Sequence, residues 1–160
     1  SILMKGYLSA WEMNDRKTWV ADSFEGLPVP SLPEDEGWDF SASKVPILAI
    51  SLEEVQENFR RYDLLDDSVK FLKGWFCDTL ATAPIETLAI LRLDGDLYES
   101  TMDSLIALYD KVSPGGFIIV DDYGDFEPCR RAITEFREKR GIIDTLETID
   151  WAGTFWRKST

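Results

Sequence analysis

Four aspartates follow two apolar segments of the chain, in a pattern that favours a bound cation. Asp94 and Asp96 flank one glycine in LRLDGDLYEST, and Asp121 and Asp122 follow the apolar segment FIIV. If these segments are neighbouring strands, the carboxylates converge and repel one another unless a cation or protons intervene. The sequence therefore predicts a cation held by Asp94, Asp121 and Asp122, with Asp96 placed to act on a ligand of that cation. The alternative is that these aspartates cap helices or bind turn amides.

Composition restricts both the cation and the chemistry. The 160 residues include no histidine, which excludes His-dependent nucleophilic mechanisms and His-ligated zinc within this chain. Cys77 and Cys129 lack metal-ligand spacing, and we interpret them as reduced thiols of a cytoplasmic protein. A metal ion would have oxygen ligands, which suits Mg²⁺, Ca²⁺ or Mn²⁺. The net charge of −13 argues against nucleic-acid and anionic-membrane partners.

The chain predicts an α/β fold that would place the aspartates on adjacent strands. Apolar segments alternate with segments of helical period, which is typical of a doubly wound, mostly parallel sheet. The last two strands have no helix between them and are expected to pair antiparallel at one edge. Ligands of such sheets bind beyond the carboxyl ends of the strands. Strands are predicted at 18–24, 69–76, 87–93, 117–120, 144–149 and 154–157, and helices at 2–13, 51–62, 100–112 and 128–140.

Local signals support several of these elements. Ser51 and Glu54 form a capping box at the start of the helix at 51–62. Ser100 and Thr101 are candidate N-caps of the next helix, and Gly141 should end the helix at 128–140. The near-continuous apolarity of 87–93 is typical of a parallel strand that is buried on both faces.

Other residues at strand ends are candidates for binding a nucleotide-like cofactor. Asp22 follows the strand at 18–24, where an acidic residue commonly accepts hydrogen bonds from two ribose hydroxyls. Trp75 and Phe76 follow Gly74 and could flank a flat ring, or they could be ordinary core aromatics. The acidic segment at 33–39, PEDEGWD, is interpreted either as a gate over the site or as a solvated surface loop.

Six ordered motifs resemble the macrocin O-methyltransferase family, whose members are S-adenosylmethionine-dependent enzymes of antibiotic biosynthesis. The resemblance extends from about Ile2 to Lys158. It rests on ADSFEGLP, SLEEVQENFRRYDLLDD, FLKGWFCDTL, LAILRLDGDLYEST, SPGGFIIVDDYG and DWAGTFWRK. It implies a Rossmann-like class I methyltransferase fold and methyl transfer to a hydroxyl of a natural product, with a sugar hydroxyl as the expected acceptor. The expected partner is a small-molecule hydroxyl acceptor. The sequence does not fix the oligomeric state, and a homo-oligomer is one of the alternatives.

The resemblance also implies a role for each site residue. Asp94, Asp121 and Asp122 match the Mg²⁺ ligands of the family, and Asp96 matches its proposed general base. The positions that match the S-adenosylmethionine site are Asp22, Ser23, Gly74, Trp75, Phe76 and Asp94.

Compared with that family, the chain starts inside the helix that follows the first strand. The first strand and its glycine-rich loop are therefore expected to precede Ser1, and that strand would be central in the sheet. We expect residues 1–160 to form a single, truncated methyltransferase domain whose sheet has a gap or a non-native pairing. The chain alone should bind S-adenosylmethionine poorly; micromolar affinity by calorimetry would contradict this expectation.

Two other functions compete with methyl transfer. Asp94 and Asp96 fit loosely the Asp-x-Asp motif of haloacid-dehalogenase-like Mg²⁺ phosphohydrolases, but that motif belongs on the first strand, usually with threonine where Tyr98 stands. The second alternative is a non-catalytic fragment that binds divalent ions or small molecules.

Overall fold

The computed structural model describes residues 1–159, which form two compact units. The first unit comprises Ser1–Pro28 and Phe40–Thr79. The second comprises Val29–Asp39 and the chain from Leu80 onward. The strands form two separate sheets, one in each unit, which confirms the predicted discontinuity of the sheet. Among the described residues, no helix has the length and apolarity to cross a membrane.

The first unit contains a parallel pair of strands and three helices. Phe59 is fully buried and contacts Phe71 edge to face at 5.8 Å between ring centroids. The predicted capping box is confirmed, since the amide of Glu54 donates to the Ser51 hydroxyl at 3.1 Å. The elements are α1 (Ile2–Ala10), β1 (Thr18–Asp22), α2 (Leu52–Arg61), β2 (Val69–Lys73) and α3 (Phe76–Thr79).

A buried lysine fixes α1 in the first unit. The Lys5 ammonium, on a side chain that is almost fully buried, donates to Asp66 at 2.7 Å and to Ser68 at 2.8 Å. The amide of Ser68 donates to the other carboxylate oxygen of Asp66 at 2.8 Å. Because a buried ammonium is costly without a partner, α1 depends on the Asp66 carboxylate.

Replacing Asp66 by asparagine is expected to lower the free energy of unfolding near neutral pH by roughly 1 kcal/mol, because Asp66 is half exposed. Lys5 and Ser68 lower the pKa of Asp66 from 3.8 to about 2. The folded state therefore favours the charged carboxylate, so this contribution is present above about pH 4 and is lost as the pH falls toward 2. Urea unfolding of wild type and D66N at several values between pH 7 and pH 3 should show the difference shrinking. D67N, which removes an exposed neighbouring charge, is the control, and a difference independent of pH would contradict the assignment.

The second unit is a four-stranded sheet with two long helices. Its strand order is β3-β4-β6-β5, with β3 and β4 parallel and the other two pairs antiparallel, as predicted for the end of the chain. Ile118, Ile133 and Trp156 have no exposed surface and form the centre of its core. The elements are β3 (Leu88–Leu93), α4 (Tyr98–Leu108), β4 (Val112–Val120), α5 (Glu127–Arg140), β5 (Glu147–Thr148) and β6 (Thr154–Arg157).

Several predicted boundaries were wrong. Ser100 and Thr101 do not cap α4, which begins at Tyr98. Val112 belongs to β4 rather than to the preceding helix, because the parallel ladder already pairs Leu88 with Val112 before its register shifts.

The strand at 87–93 was predicted to be buried on both faces, and this was wrong for the chain as described. Ala89 and Ile90 are exposed because β3 is an edge strand of its sheet. The strand at 69–76 ends earlier than predicted, since β2 stops at Lys73 and Phe76 begins α3.

Candidate active site

The parallel ladder between β3 and β4 brings two aspartates of the predicted cation site side by side. Leu93 pairs with Val120, and the amide of Asp121 continues the ladder by donating to the Leu93 carbonyl at 3.0 Å. One carboxylate oxygen from each of Asp94, Asp121 and Asp122 lies within 4.8 Å of the others. The predicted convergence of these three residues is therefore confirmed.

Asp96 joins this cluster through an unusual backbone conformation. Its φ is 56°, in the left-handed region where aspartate is among the better tolerated non-glycine residues. The chain turns back there, so that the Asp96 amide donates to Oδ2 of Asp122 at 3.3 Å. All four predicted aspartates thus meet at the carboxyl ends of β3 and β4.

The charges of this cluster are only partly balanced. Burial, followed by the repulsion of Asp96 and Asp94, raises the pKa of Asp122 above its ordinary value. Burial, followed by the repulsion of Asp94, likewise raises the pKa of Asp96, although a hydrogen bond from Asp122 opposes the shift. Both directions mean that the cluster holds more negative charge than its surroundings stabilise.

The donor set fits a hard divalent cation. Mg²⁺ prefers oxygen ligands at about 2.0–2.1 Å in octahedral geometry, so adjacent ligands lie roughly 2.9 Å apart and opposite ligands roughly 4.2 Å apart. The three ligand atoms lie within 4.8 Å of one another, so these side chains would move inward to bind the ion. Asp122 is 8% exposed, and a cation would supply the compensation that its buried carboxylate lacks.

Arg92 is a member of the cluster that the sequence interpretation missed. Its guanidinium donates to Oδ2 of Asp94 and forms an ion pair with Oδ2 of Asp121 at 2.7 Å. Burial disfavours the charged guanidinium, but the attraction of Asp94 and Asp121 outweighs burial and raises the pKa of Arg92. A signal was present in the sequence, because residues two apart on a strand share a face and Arg92 interrupts an otherwise apolar strand.

The segment 33–39 fixes the start of α4. Asp35 is fully buried and accepts hydrogen bonds from the amides of Tyr98 at 2.6 Å and Glu99 at 3.1 Å. Glu34 also pairs with Arg131 of α5 at 3.3 Å. The interpretation of this segment as a solvated surface loop is therefore wrong for Asp35, whose carboxylate caps a helix.

In the first unit, a tight turn follows Asp22. The amide of Phe24, which has a φ of 57°, donates to Oδ1 of Asp22 at 2.6 Å. The Ser23 hydroxyl is held between the amide of Glu25 and the carbonyl of Gly26. This turn presents Asp22 as an exposed residue at the carboxyl end of β1.

The predicted aromatic segment lies beside that turn. The amide of Gly74 donates to the Asp22 carbonyl at 2.9 Å, so the two strand ends are adjacent. Gly74 has a φ of 140°, and a Cβ there would lie 2.7 Å from Cγ2 of Thr79, which explains the need for glycine. Trp75 is 36% exposed and Phe76 is half-buried. The interpretation of both as ordinary core aromatics is therefore wrong for Trp75.

The fold and the acidic strand ends together define the class of this protein. Parallel strand pairs, an antiparallel edge and ligand-type residues at the carboxyl strand ends form the α/β architecture of class I methyltransferases. The chain belongs to the macrocin O-methyltransferase family, because the profile described as Macrocin-O-methyltransferase (TylF) matches residues 1–158. The resemblance of the six motifs is thereby confirmed, and nothing in the match supports a phosphohydrolase.

Two curated relatives show the same affiliation. The chain is 53% identical over 166 residues to the demethyldecarbamoylnovobiocin O-methyltransferase of Streptomyces niveus, covering 99% of this chain and 61% of that protein. It is 48% identical over 162 residues to the mycinamicin III 3''-O-methyltransferase of Micromonospora griseorubida, covering 99% and 63%. The chain therefore spans about three fifths of the length of these relatives.

Solved structures agree with this fold. The O-methyltransferase NovP superposes with a TM-score of 0.96 at 52% identity, over 99% of this chain and 66% of that one. The calicheamicin methyltransferase CalS11 superposes with a TM-score of 0.67 at 18% identity, over 98% of this chain and 66% of that one. The second similarity supports the fold alone.

Proposed function

We propose that this protein is an O-methyltransferase that depends on S-adenosylmethionine and Mg²⁺. Its acceptor would be a hydroxyl of a natural product, with a sugar hydroxyl as the first candidate. The observation that carries the proposal is the convergence of three carboxylates with Asp96 at the ends of β3 and β4. Support comes from a family of methyltransferases and from relatives whose names specify natural-product O-methylation.

Each carboxylate of the cluster has a separate role in this proposal. Asp94, Asp121 and Asp122 would hold Mg²⁺, which when bound lowers the pKa of a coordinated hydroxyl and orients an acceptor with two neighbouring oxygens. Asp96 would take the proton of that hydroxyl as general base. Its raised pKa suits this task, because a base works best when its pKa approaches that of the working solution.

The first unit holds candidate residues for binding S-adenosylmethionine. Asp22 would accept hydrogen bonds from ribose hydroxyls, and Ser23 would hold the turn that presents it. Gly74 lets the backbone turn sharply, so that Trp75 and Phe76 could lie against the adenine ring. Support comes from the exposure of Asp22 and Trp75 and from the adjacency of their strand ends. Asp94 remains a candidate for both the cofactor and the metal.

The remaining proposals concern partners and location. We assign a small-molecule hydroxyl acceptor as substrate and expect neither nucleic-acid nor membrane partners, because the net charge is −13 and anionic surfaces would repel it. A cytoplasmic location and a homo-oligomeric assembly are further proposals, tested by fractionation and by size-exclusion chromatography with light scattering.

Removal of metal is expected to abolish methyl transfer by the full-length protein. The assay uses S-adenosylmethionine with a labelled methyl group and the acceptors named for its relatives, demethyldecarbamoylnovobiocin and mycinamicin III. Label should enter the acceptor with Mg²⁺ present, disappear with excess EDTA and return when Mg²⁺ is restored. Transfer that is unchanged by EDTA would remove the metal from the proposal. Cofactor binding without transfer to any hydroxyl acceptor would overturn the assigned activity, and an aryl phosphate serves as the control substrate.

A further inference from the structure

Arg92 forms ion pairs with two of the three proposed metal ligands. The two terminal nitrogens of its guanidinium contact Asp94 and Asp121, one nitrogen to each. Oxygens of these same two side chains belong to the candidate ligand set. We propose that Arg92 is a built-in competitor of the metal, which holds Asp94 and Asp121 together in the metal-free protein and weakens divalent-cation binding. This inference rests on the metal site of the proposed function.

In the metal-free protein, Arg92 offsets repulsion within the aspartate cluster. Four aspartates at the ends of two adjacent strands repel one another. A planar guanidinium offers paired donors that match carboxylate oxygens, and Arg92 links the end of β3 to the residue that follows β4. Without the arginine, Asp94 and Asp121 would face each other unpaired. Metal-free protein that lacks this guanidinium should therefore be less stable.

The same guanidinium opposes the binding of a divalent cation. A divalent cation and a guanidinium that share carboxylates are like charges a few ångströms apart, and their repulsion weakens cation binding. A unit charge roughly 5 Å from a divalent ion alters the binding constant by about tenfold even at the dielectric constant of water.

The Arg92 guanidinium can withdraw from the carboxylates without unpacking the core. Its backbone is fixed in the ladder opposite Ile119, but its side chain is 34% exposed. An arginine side chain has several rotatable bonds, so the guanidinium can withdraw from the carboxylates by a few ångströms when they rotate inward onto a metal. The position of the Arg92 side chain would therefore differ between the metal-free and the metal-bound protein.

The test compares Mn²⁺ binding and thermal stability of the full-length wild type, R92Q and R92K. Mn²⁺ is the probe because it has the same oxygen preference as Mg²⁺ and because electron paramagnetic resonance measures the free ion directly. R92Q should bind Mn²⁺ about tenfold more tightly than wild type, while its metal-free melting temperature should be lower. Saturating Mn²⁺ should remove most of that stability difference. R92K, which keeps the charge without the planar fork, should bind Mn²⁺ much as wild type does.

The R92Q change is expected to strengthen Mn²⁺ binding and to lower the metal-free melting temperature. Simple structural damage would instead weaken Mn²⁺ binding and stability together. The control is R140Q, because Arg140 also pairs with an aspartate, Asp110, that is not a candidate ligand; its Mn²⁺ affinity should equal that of wild type. Mn²⁺ binding by R92Q that is equal to or weaker than wild type would overturn the role of Arg92 and leave the metal site standing.

One possible result would overturn more than the role of Arg92. Absence of Mn²⁺ binding in wild type and R92Q alike, at millimolar concentration, would overturn the metal site and the inference together. If R92Q does not fold, nitrogen-15 resonances of the arginine side chains in wild type, assigned with R92K, should show Arg92 shifting as Mg²⁺ is added. An Arg92 resonance that ignores saturating Mg²⁺ would overturn the proposal.

Discussion

Replacing Asp96 by asparagine in the full-length protein is expected to lower kcat for methyl transfer by about 10²- to 10⁴-fold, the usual contribution of a general base. Asparagine keeps the shape of the side chain and, like aspartate, tolerates the left-handed backbone at this position, where φ is 56°. It cannot accept a proton as a carboxylate does. The change therefore removes the proposed chemistry while leaving the turn between β3 and α4 in place.

The metal and the cofactor should still bind D96N, because the proposed ligands Asp94, Asp121 and Asp122 are intact. D96N also removes a negative charge beside the metal site, so Mn²⁺ affinity should fall by about tenfold at most, and kcat is measured at saturating metal. Three measurements on D96N test this expectation. Single-turnover methyl transfer gives the chemical rate, equilibrium binding gives the cofactor affinity, and titration with Mn²⁺ gives the metal affinity.

Asp125 supplies the matched control for this experiment. It is an exposed acid that raises the pKa of Asp96 by repulsion and is not among the proposed ligands, so D125N should keep kcat near the wild-type value. A D96N enzyme with unchanged kcat would exclude Asp96 as the base. A large loss in D125N as well would show that net charge, rather than one carboxylate, is what matters.

The parts of the fold that sequence predicted are those that depend on local or periodic signals. Ser51 and Glu54 cap α2 within three residues of each other, and Gly141 ends α5 with a φ of 63°. Asp94 and Asp121 were predicted to meet because parallel strands bring their carboxyl ends to one edge. Such signals require no knowledge of register or of distant contacts.

The parts that sequence missed depend on register and on distant partners. The ion pairs of Arg92 require the β3–β4 ladder to place it between Asp94 and Asp121, and the pairing of Leu88 with Val112 adds residues to β4 that look like a turn in sequence. Asp35 caps α4 across 63 residues of chain. A capping motif read from adjacent residues could not find it, so Ser100 and Thr101 were predicted instead.

Loss of the Asp35 cap is expected to have the largest effect on stability of any substitution in the second unit. Replacing Asp35 by alanine should lower the free energy of unfolding by about 2–4 kcal/mol, because a lost helix cap costs about 0.5–2 kcal/mol and each buried unpaired amide about 1–3 kcal/mol. Asp35 has no exposed surface, and both first-turn amides of α4, those of Tyr98 and Glu99, donate to it. Leu97, at the N-cap position, offers no side-chain acceptor.

Urea unfolding measures this loss, with the slope of the transition expected to stay unchanged. D35N keeps one carbonyl oxygen as acceptor and should lose roughly half as much as D35A. E36Q alters the exposed neighbouring acid and should unfold as wild type does.

The consequence should extend to the active site, because α4 begins at Tyr98, two residues after Asp96. A helix start that loses its cap frays, and the left-handed turn at Asp96 loses the anchor on its carboxyl side. D35N should therefore lower kcat more than it raises KM for the acceptor, while Mn²⁺ affinity changes little because Asp94 and Asp121 are held by the β3–β4 ladder. D35A protein that unfolds within about 0.5 kcal/mol of wild type, the range of ordinary surface substitutions, would show that the Asp35 carboxylate does not hold α4.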